Sequence, residues 1–244
     1  MKKTSLSLWA VMATVGLTAP AVADSKDMTL NDFSKIKVYA PVDVDVAVGK
    51  KQSFSMEGRS EDLAKLVIEV RDNSLIIKKR KHSGRIKKVK ITVALADLTK
   101  FIINGSSDAK IRNVDSKEFK LAINGSGNVV FGGKSAELEV EINGSGNVAS
   151  KSFDARQVSA EINGSGDISL AGKCDNLKIS ISGSGDFSGR GLTCSKVKAR
   201  ISGSGDVTVY ASDEIKVRTS GSSDVDVYGG PKSIENRSSG SSDF

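Results

Sequence analysis

A column of acidic residues is the first feature of the sequence with a chemistry of its own. A short motif, Asn-Gly-Ser-Gly-Asn and its variants, recurs along the chain. In its later copies an aspartate lies three residues after the first glycine. Carboxylate oxygens are good calcium ligands, so the column is a candidate row of calcium sites. Its members are Asp167, Asp186, Asp206, Asp224 and Asp243, preceded in the same place by Asn128 and Asn147.

The repetition of these acids favours a structural role over a metal site. Carboxylates stacked ~4.8 Å apart repel by roughly 1 kcal/mol in water, and by more where the effective dielectric is lower. Backbone N–H groups of the same turn would offset this repulsion, helped by Arg200, Arg218 and Arg237, three residues before their glycines. We expect no metal and no cofactor, with the calcium row as the alternative.

A basic segment spanning residues 78–90 offers a second chemistry. It holds eight positive residues and no acid: Lys78, Lys79, Arg80, Lys81, Arg85, Lys87, Lys88 and Lys90. Without Lys2 and Lys3 the chain has 34 basic and 29 acidic residues, so this segment alone makes the net charge positive. It is either a solvated hairpin tip or a surface for anionic glycans or lipopolysaccharide phosphates. It contains no aromatic side chain to stack on bases, which disfavours specific nucleic-acid binding.

The two cysteines occupy equivalent places in the repeat. Cys174 and Cys194 each lie nine residues before a repeat glycine, Gly183 and Gly203. Equivalent positions on neighbouring parallel strands bring Cα atoms to about 5 Å, within the range that a disulfide accepts. The spacing predicts a disulfide between them, with two buried free thiols as the alternative.

Side chains suited to catalysis are scarce. The only histidine, His82, lies inside the basic segment, where a charged surface role is favoured over that of a general base. The acids recur with the repeat, and repetition indicates structure. We therefore expect no catalytic residues and no enzymatic activity, although polysaccharide-cleaving enzymes do use repetitive β-architectures.

All of these residues are positioned by eight regularly spaced glycines. Successive glycines are 18 to 20 residues apart, and such a fixed period predicts stacked repeats. The asparagine before several of them would stack as an amide ladder between repeats. The glycines are Gly105, Gly125, Gly144, Gly164, Gly183, Gly203, Gly221 and Gly240.

The residues around each glycine alternate between apolar and polar, which is the period of a β-strand. Before Gly183, for example, Leu177, Ile179 and Ile181 alternate with polar residues. A unit with one apolar face and no hairpin partner can bury that face only by coiling and pairing in parallel with the next unit. We therefore predict an all-β fold, a right-handed parallel β-helix with rungs of 18 to 20 residues.

The ordered run of turns resembles a known family. From Asn163 to Asp224 the chain reads Asn-Gly-Ser-Gly-Asp, then Ser-Gly-Ser-Gly-Asp twice and Ser-Gly-Ser-Ser-Asp. This run, with a likeness reaching upstream to about Phe33, resembles the head GIN domain of autotransporter adhesins, a bacterial β-helical family. The resemblance implies an adhesin-like role and supplies no catalytic residues.

The sequence divides into three parts. Residues 1–23 are predicted to be a signal peptide, because two lysines precede an apolar stretch and an Ala-Val-Ala cleavage site. Residues 24–100 contain strand-like segments of alternating apolar and polar residues but lack the glycine motif. They are expected to form an irregular N-terminal cap of the same domain. Residues 101–244 are expected to form the regular β-helix with its eight glycine turns. We expect no transmembrane segment after cleavage, and a periplasmic or extracellular location.

These features favour an exported binding module, adhesin-like and not catalytic, that displays regular faces to an envelope or extracellular ligand. The alternatives are a carbohydrate-active enzyme of lyase or hydrolase type and an envelope scaffold. Phe244 takes the apolar position that Val225 and Val207 hold in earlier rungs, so the last rung leaves half an edge bare. We expect a second copy or a partner to cover it.

Overall fold

The chain coils into a β-solenoid of about seven turns, as predicted, with strands of successive turns paired in parallel. The computed structural model describes residues 24–241 and Asp243. The predicted signal peptide and the core position proposed for Phe244 lie outside these residues. Within them, no helix has the length and apolar character needed to cross a membrane.

Sixteen strands and one short helix make up the described chain. The irregular part contains β1 (Asp24–Asp27), β2 (Lys35–Val38), β3 (Asp43–Val48), β4 (Ser53–Gly58), α1 (Ser60–Leu63), β5 (Leu66–Arg71), β6 (Ser74–Lys79), β7 (Val89–Leu95) and β8 (Lys100–Gly105). The regular part contains β9 (Ala109–Gly125), β10 (Asn128–Gly144), β11 (Asn147–Gly164), β12 (Ile168–Gly183), β13 (Phe187–Gly203), β14 (Val207–Gly221), β15 (Val225–Tyr228) and β16 (Ser233–Gly240).

The strands from β9 to β14 each run through most of one rung and pair in register with the next. Ile142 lies beside Ile162, and Ile162 beside Ile181, so equivalent residues form columns along the rod. Inward side chains such as Leu177 and Ile179 are at most 2% exposed, whereas Lys178 between them is exposed. The apolar columns therefore form one continuous core.

Glycine and asparagine shape the corner between successive strands. All eight predicted turn glycines have a positive φ, between 112° and 141°, a conformation that is costly for residues with a Cβ atom. Beside them runs the amide ladder predicted from the sequence. Asn124 donates to Asn104, Asn143 to Asn124 and Asn163 to Asn143, at 2.9 to 3.0 Å.

The N-terminal rungs do not stack in chain order. The rung made by β2 and β3 lies between the rung of β8 and β9 and a rung made by β6 and β7. The strands β6 and β7, although they come later in the chain than β2 and β3, thus form the outermost parallel rung. Antiparallel strands border this rung, because β5 pairs with β6 and β4 pairs with β7. The open end of the solenoid is covered in this way.

A buried aspartate with two cationic partners holds the short helix α1. Arg59 is its N-cap residue and makes no side-chain capping bond. Asp62, which is fully buried, instead accepts hydrogen bonds from Lys65 at 2.8 Å and from Arg59 at 2.6 Å. These two partners, Lys65 first, lower the pKa of the Asp62 carboxyl to about 2.

The C-terminal rung is more polar than those before it. Asn236 and Ser238 stand in register with the buried Val217 and Thr219, so polar side chains end two of the core columns. Ile234 continues a third column and is 56% exposed. Among the described residues, β15 and β16 pair only with β14, and the Val225 N–H at the start of β15 donates to the Asp243 carbonyl at 3.0 Å.

Candidate functional site

The basic segment forms the corner between β6 and β7 in the outermost parallel rung. The alternative of a hairpin tip is wrong, because β6 and β7 do not pair with each other among the described residues. The segment crosses a corner of the rod, as the glycine turns do in later rungs. Its side chains are consequently displayed at the N-terminal end of the solenoid.

Several contacts hold the backbone of this segment in place. Ile86 is 4% exposed and anchors the middle of the segment in the core. Lys65 Nζ donates to the carbonyl oxygen of Arg85 at 2.9 Å while also bonding Asp62, so the buried carboxylate indirectly fixes the segment. The Ser83 hydroxyl donates to the carbonyl of Arg80 at 2.6 Å. A fixed backbone reduces the entropy cost of binding a ligand.

Most of the positive charge in the segment has no internal counter-charge. Lys78 pairs with Glu69 at 2.6 Å, and Lys90 lies 4.0 Å from Asp45. The remaining six side chains are exposed and form no ion pair within the described chain: Lys79, Arg80, Lys81, Arg85, Lys87 and Lys88. An anchored backbone with six free cations can bind a multivalent anion.

The acidic column forms a ladder of hydrogen bonds between rungs. The Oδ1 atom of Asp167 accepts the backbone N–H of Asp186 at 3.0 Å, and Asp186 accepts that of Asp206 at 2.8 Å. The ladder continues through Asp224 to Asp243. Our expectation that each carboxylate bonds its own turn is therefore wrong, since each bonds the turn of the next rung.

The ladder explains why acids and amides share this position. Asn147 accepts the N–H of Asp167 in the same way, because an amide oxygen and a carboxylate oxygen are both acceptors. Asp108 begins the ladder by accepting from Asn128, a member that the spacing from Gly105 could have identified. These backbone donors offset the repulsion between the carboxylates.

Arginines were expected to offset the repulsion between the carboxylates, but no arginine pairs with a ladder acid among the described ion pairs. Arg237 pairs with Glu235 at 3.0 Å, and neither Arg200 nor Arg218 pairs with a ladder acid. The reason is geometric: these arginines precede the glycine corner, and the acids follow it. Within the described residues, no group of three or more His, Cys, Asp or Glu side chains is arranged to hold a metal ion. The calcium row thus stays a hypothesis.

Cys174 and Cys194 are joined in the predicted disulfide. They are register partners on β12 and β13, with Cα atoms 4.5 Å apart. Both are buried, at 7% and 1% exposure. Ala155 and Ala211 occupy the same column in the flanking rungs, so the site accepts small side chains.

Comparison with known proteins gives a consistent result for the fold. A crystal structure described as a lipid binding protein from Parabacteroides distasonis is similar over 91% of this chain and 97% of its own, with a TM-score of 0.78 and 22% identity. A crystal structure described as an adhesin from Bacteroides fragilis covers 91% of this chain and 95% of its own, with a TM-score of 0.69 and 20% identity. At these identities the likeness shows the fold. No curated protein matches the chain.

A family model identifies the family. The model described as "Putative auto-transporter adhesin, head GIN domain" matches residues 32–152 and again residues 130–231. The two matches together span most of the chain, including the N-terminal rungs, the basic segment and the repeats with their disulfide. The chain therefore belongs to the auto-transporter adhesin head GIN domain family, as the order of its glycine turns predicted.

Proposed function

We propose that the protein is an exported, non-catalytic binding module whose basic segment attaches the rod to an anionic polymer of the cell envelope or its surroundings. Acidic glycans and the phosphates of lipopolysaccharide are the candidate ligands. The observation that supports this most directly is the set of six unpaired cations on a backbone anchored by Ile86 and Lys65. Export rests on the predicted signal peptide.

Lipopolysaccharide would be bound through its phosphates. One structural neighbour is described as a lipid binding protein, which makes a lipid-containing ligand worth testing. Among the described residues, the exposed large hydrophobic side chains are Tyr39, Val130 and Ile234, and these lie in different rungs. They offer no shared surface for an acyl chain, whereas the basic segment offers charge for a phosphate.

A second candidate role, as an envelope scaffold, is favoured by the C-terminal edge. Among the described residues the outer side of β16 has no strand partner, and its backbone groups could pair with a strand of a second copy or a partner. Because Asn236 and Ser238 are polar, such pairing would depend on hydrogen bonds more than on apolar contact. The enzyme alternative has less support, since the family and the neighbours are described as adhesins or binding proteins.

The basic segment can be tested by removing four of its unpaired charges. We expect the quadruple variant Lys79→Gln, Arg80→Gln, Lys81→Gln and Lys88→Gln to elute from immobilised heparin at clearly lower salt than the wild type. Each lost contact should also reduce the salt dependence of binding by about one unit in a plot of log affinity against log salt.

The matched control removes the same charge elsewhere. Lys110, Lys117, Lys151 and Lys173 are exposed lysines in the regular rungs, and replacing these four with Gln gives the same net charge. The control should elute close to the wild type. Equal shifts for the two quadruple variants would show that only net charge matters and would refute a binding role for the segment.

A further inference from the structure

A cationic groove crosses three later rungs on the strand face that precedes the glycine corner. It is defined by Lys178 on β12, Lys196, Lys198 and Arg200 on β13, and Lys216 and Arg218 on β14. Two adjoining hollows of 350 and 210 Å³ make up this surface, and Glu214 and Glu235 also line them. Both hollows are lined by Lys198 and Lys216. The hollows therefore form one path along the rod axis.

The cations in this groove are stacked in register. Lys178 lies beside Lys198 and Lys198 beside Lys216, while Arg200 lies beside Arg218 in the next outward column. Like charges placed directly opposite each other on neighbouring strands destabilise a sheet. At the ~4.8 Å spacing of the rungs, each such pair costs roughly 1 kcal/mol in water.

The chain offsets this repulsion only in part. Lys216 pairs with Glu214 at 2.5 Å, and the other five cations of the groove form no ion pair within the described residues. The acidic ladder meets the same problem but places a backbone N–H against each carboxylate. Glu214 stands in register with Lys196 and Glu235 with Lys216, so two acids face six cations. The groove keeps an excess of positive charge that a ligand with regularly repeated negative charge would neutralise.

The lining of the groove indicates the class of ligand. Gln157 and Asn176 stand in register along one wall, and Ser159 lies beside Lys178, so amides and a hydroxyl accompany the charges. Such groups hydrogen-bond sugar hydroxyls, and ammonium and guanidinium groups bind carboxylate or sulfate. No aromatic side chain of the described chain lines the two hollows that contain Lys198, which disfavours stacking of nucleic-acid bases.

We propose that this cationic groove binds a linear acidic polysaccharide that lies along the rod axis, with one anionic group near each rung. The proposal rests on the proposed binding function and adds a second contact surface to it. The basic segment at the N-terminal end and the groove in the later rungs would then contact one long chain at two places. Binding at two linked places increases the affinity for long chains over short ones.

The test compares three variants, with heparin fragments as the probe. The groove variant carries Lys198→Gln, Arg200→Gln and Arg218→Gln, and its control carries Lys110→Gln, Lys151→Gln and Lys173→Gln, with the same net charge. The third variant is the quadruple substitution in the basic segment. Affinity for a short and a long fragment is measured at several salt concentrations, after circular dichroism has shown that each variant is folded.

We expect the groove variant to bind the long fragment at least about tenfold more weakly than its control, with a salt slope lower by about three. Equal affinities for the groove variant and its control would overturn the groove while leaving the basic segment in place. Loss of heparin binding by the wild type itself would overturn both proposals. Competition by anionic lipid vesicles or single-stranded DNA, but not by polyuronate, would show that the ligand is not a glycan and would also overturn the groove proposal.

Discussion

Replacing Gly164 with alanine is expected to lower the free energy of unfolding by more than about 4 kcal/mol, the range of severe core disruptions. Gly164 has a φ of 136°, and a Cβ atom built on it would overlap the carbonyl oxygen of Gly144 in the preceding rung. That oxygen accepts the backbone N–H of Ser165 at 2.9 Å. The rung can relieve the overlap only by breaking the hydrogen bonds that hold the corner together.

Gly105 provides the matched control for this substitution. Its φ is 137°, almost the same as that of Gly164, but a Cβ atom there would meet nothing within 4 Å. Gly105→Ala should therefore cost only the backbone strain, about 1–3 kcal/mol. Denaturant midpoints of the two variants separate strain from stacking. Equal costs would contradict the tight approach of successive rungs.

The second large effect is expected from the disulfide. The double variant Cys174→Ala and Cys194→Ala should lose about 3 kcal/mol, because the bond closes a loop of 20 residues in the unfolded chain. For a chain of this size that corresponds to a fall in Tm of about 6–12 °C. Alanine already occupies the same column at Ala155 and Ala211, so the substitution introduces a residue that the packing accepts.

Alkylation followed by intact-mass measurement provides the accompanying control. Protein denatured without reductant should take up no alkyl group, and protein denatured with reductant should take up two. The wild type unfolded in reductant should then match the double variant in its denaturation midpoint. Two alkyl groups without reductant, or an unchanged Tm in the double variant, would show that no stabilising bond exists.

The regular rungs could be predicted because local pattern and global contact coincide there. In β12, the alternation of Leu177, Ile179 and Ile181 determines which side chains face inward. The constant distance of each from Gly183 also determines the partner on the next rung. One periodic signal therefore predicted strand, face and register together, and the position of the disulfide followed from it.

The order of the N-terminal strands carried no such signal. Residues 89–95 alternate in the same way as residues 43–48, and alternation alone does not say which strand lies further out in the stack. That order depends on long-range contacts, including the antiparallel pairing of β4 with β7. For the same reason, the basic segment could be recognised as charged but not as a rung corner.

The cationic groove was missed for a different reason. Lys178, Lys198 and Lys216 are 20 and 18 residues apart, so the repeat spacing does place them in one column. Charged residues at outward positions are expected on any strand. The shortage of acids beside these three lysines becomes evident only when the ion pairs of neighbouring rungs are known. The acidic ladder shows the converse, because its hydrogen bonds between rungs satisfy charges that looked unpaired in the sequence.

The central claim is that the protein binds anionic polymers without changing them. The most direct measurement incubates residues 24–244 with heparin or polyuronate and determines both the amount bound and the chain length of the recovered glycan. We expect binding that weakens steeply with salt and glycan of unchanged length. Absence of binding, or shortened glycan whose release is abolished by a single point substitution, would contradict the claim.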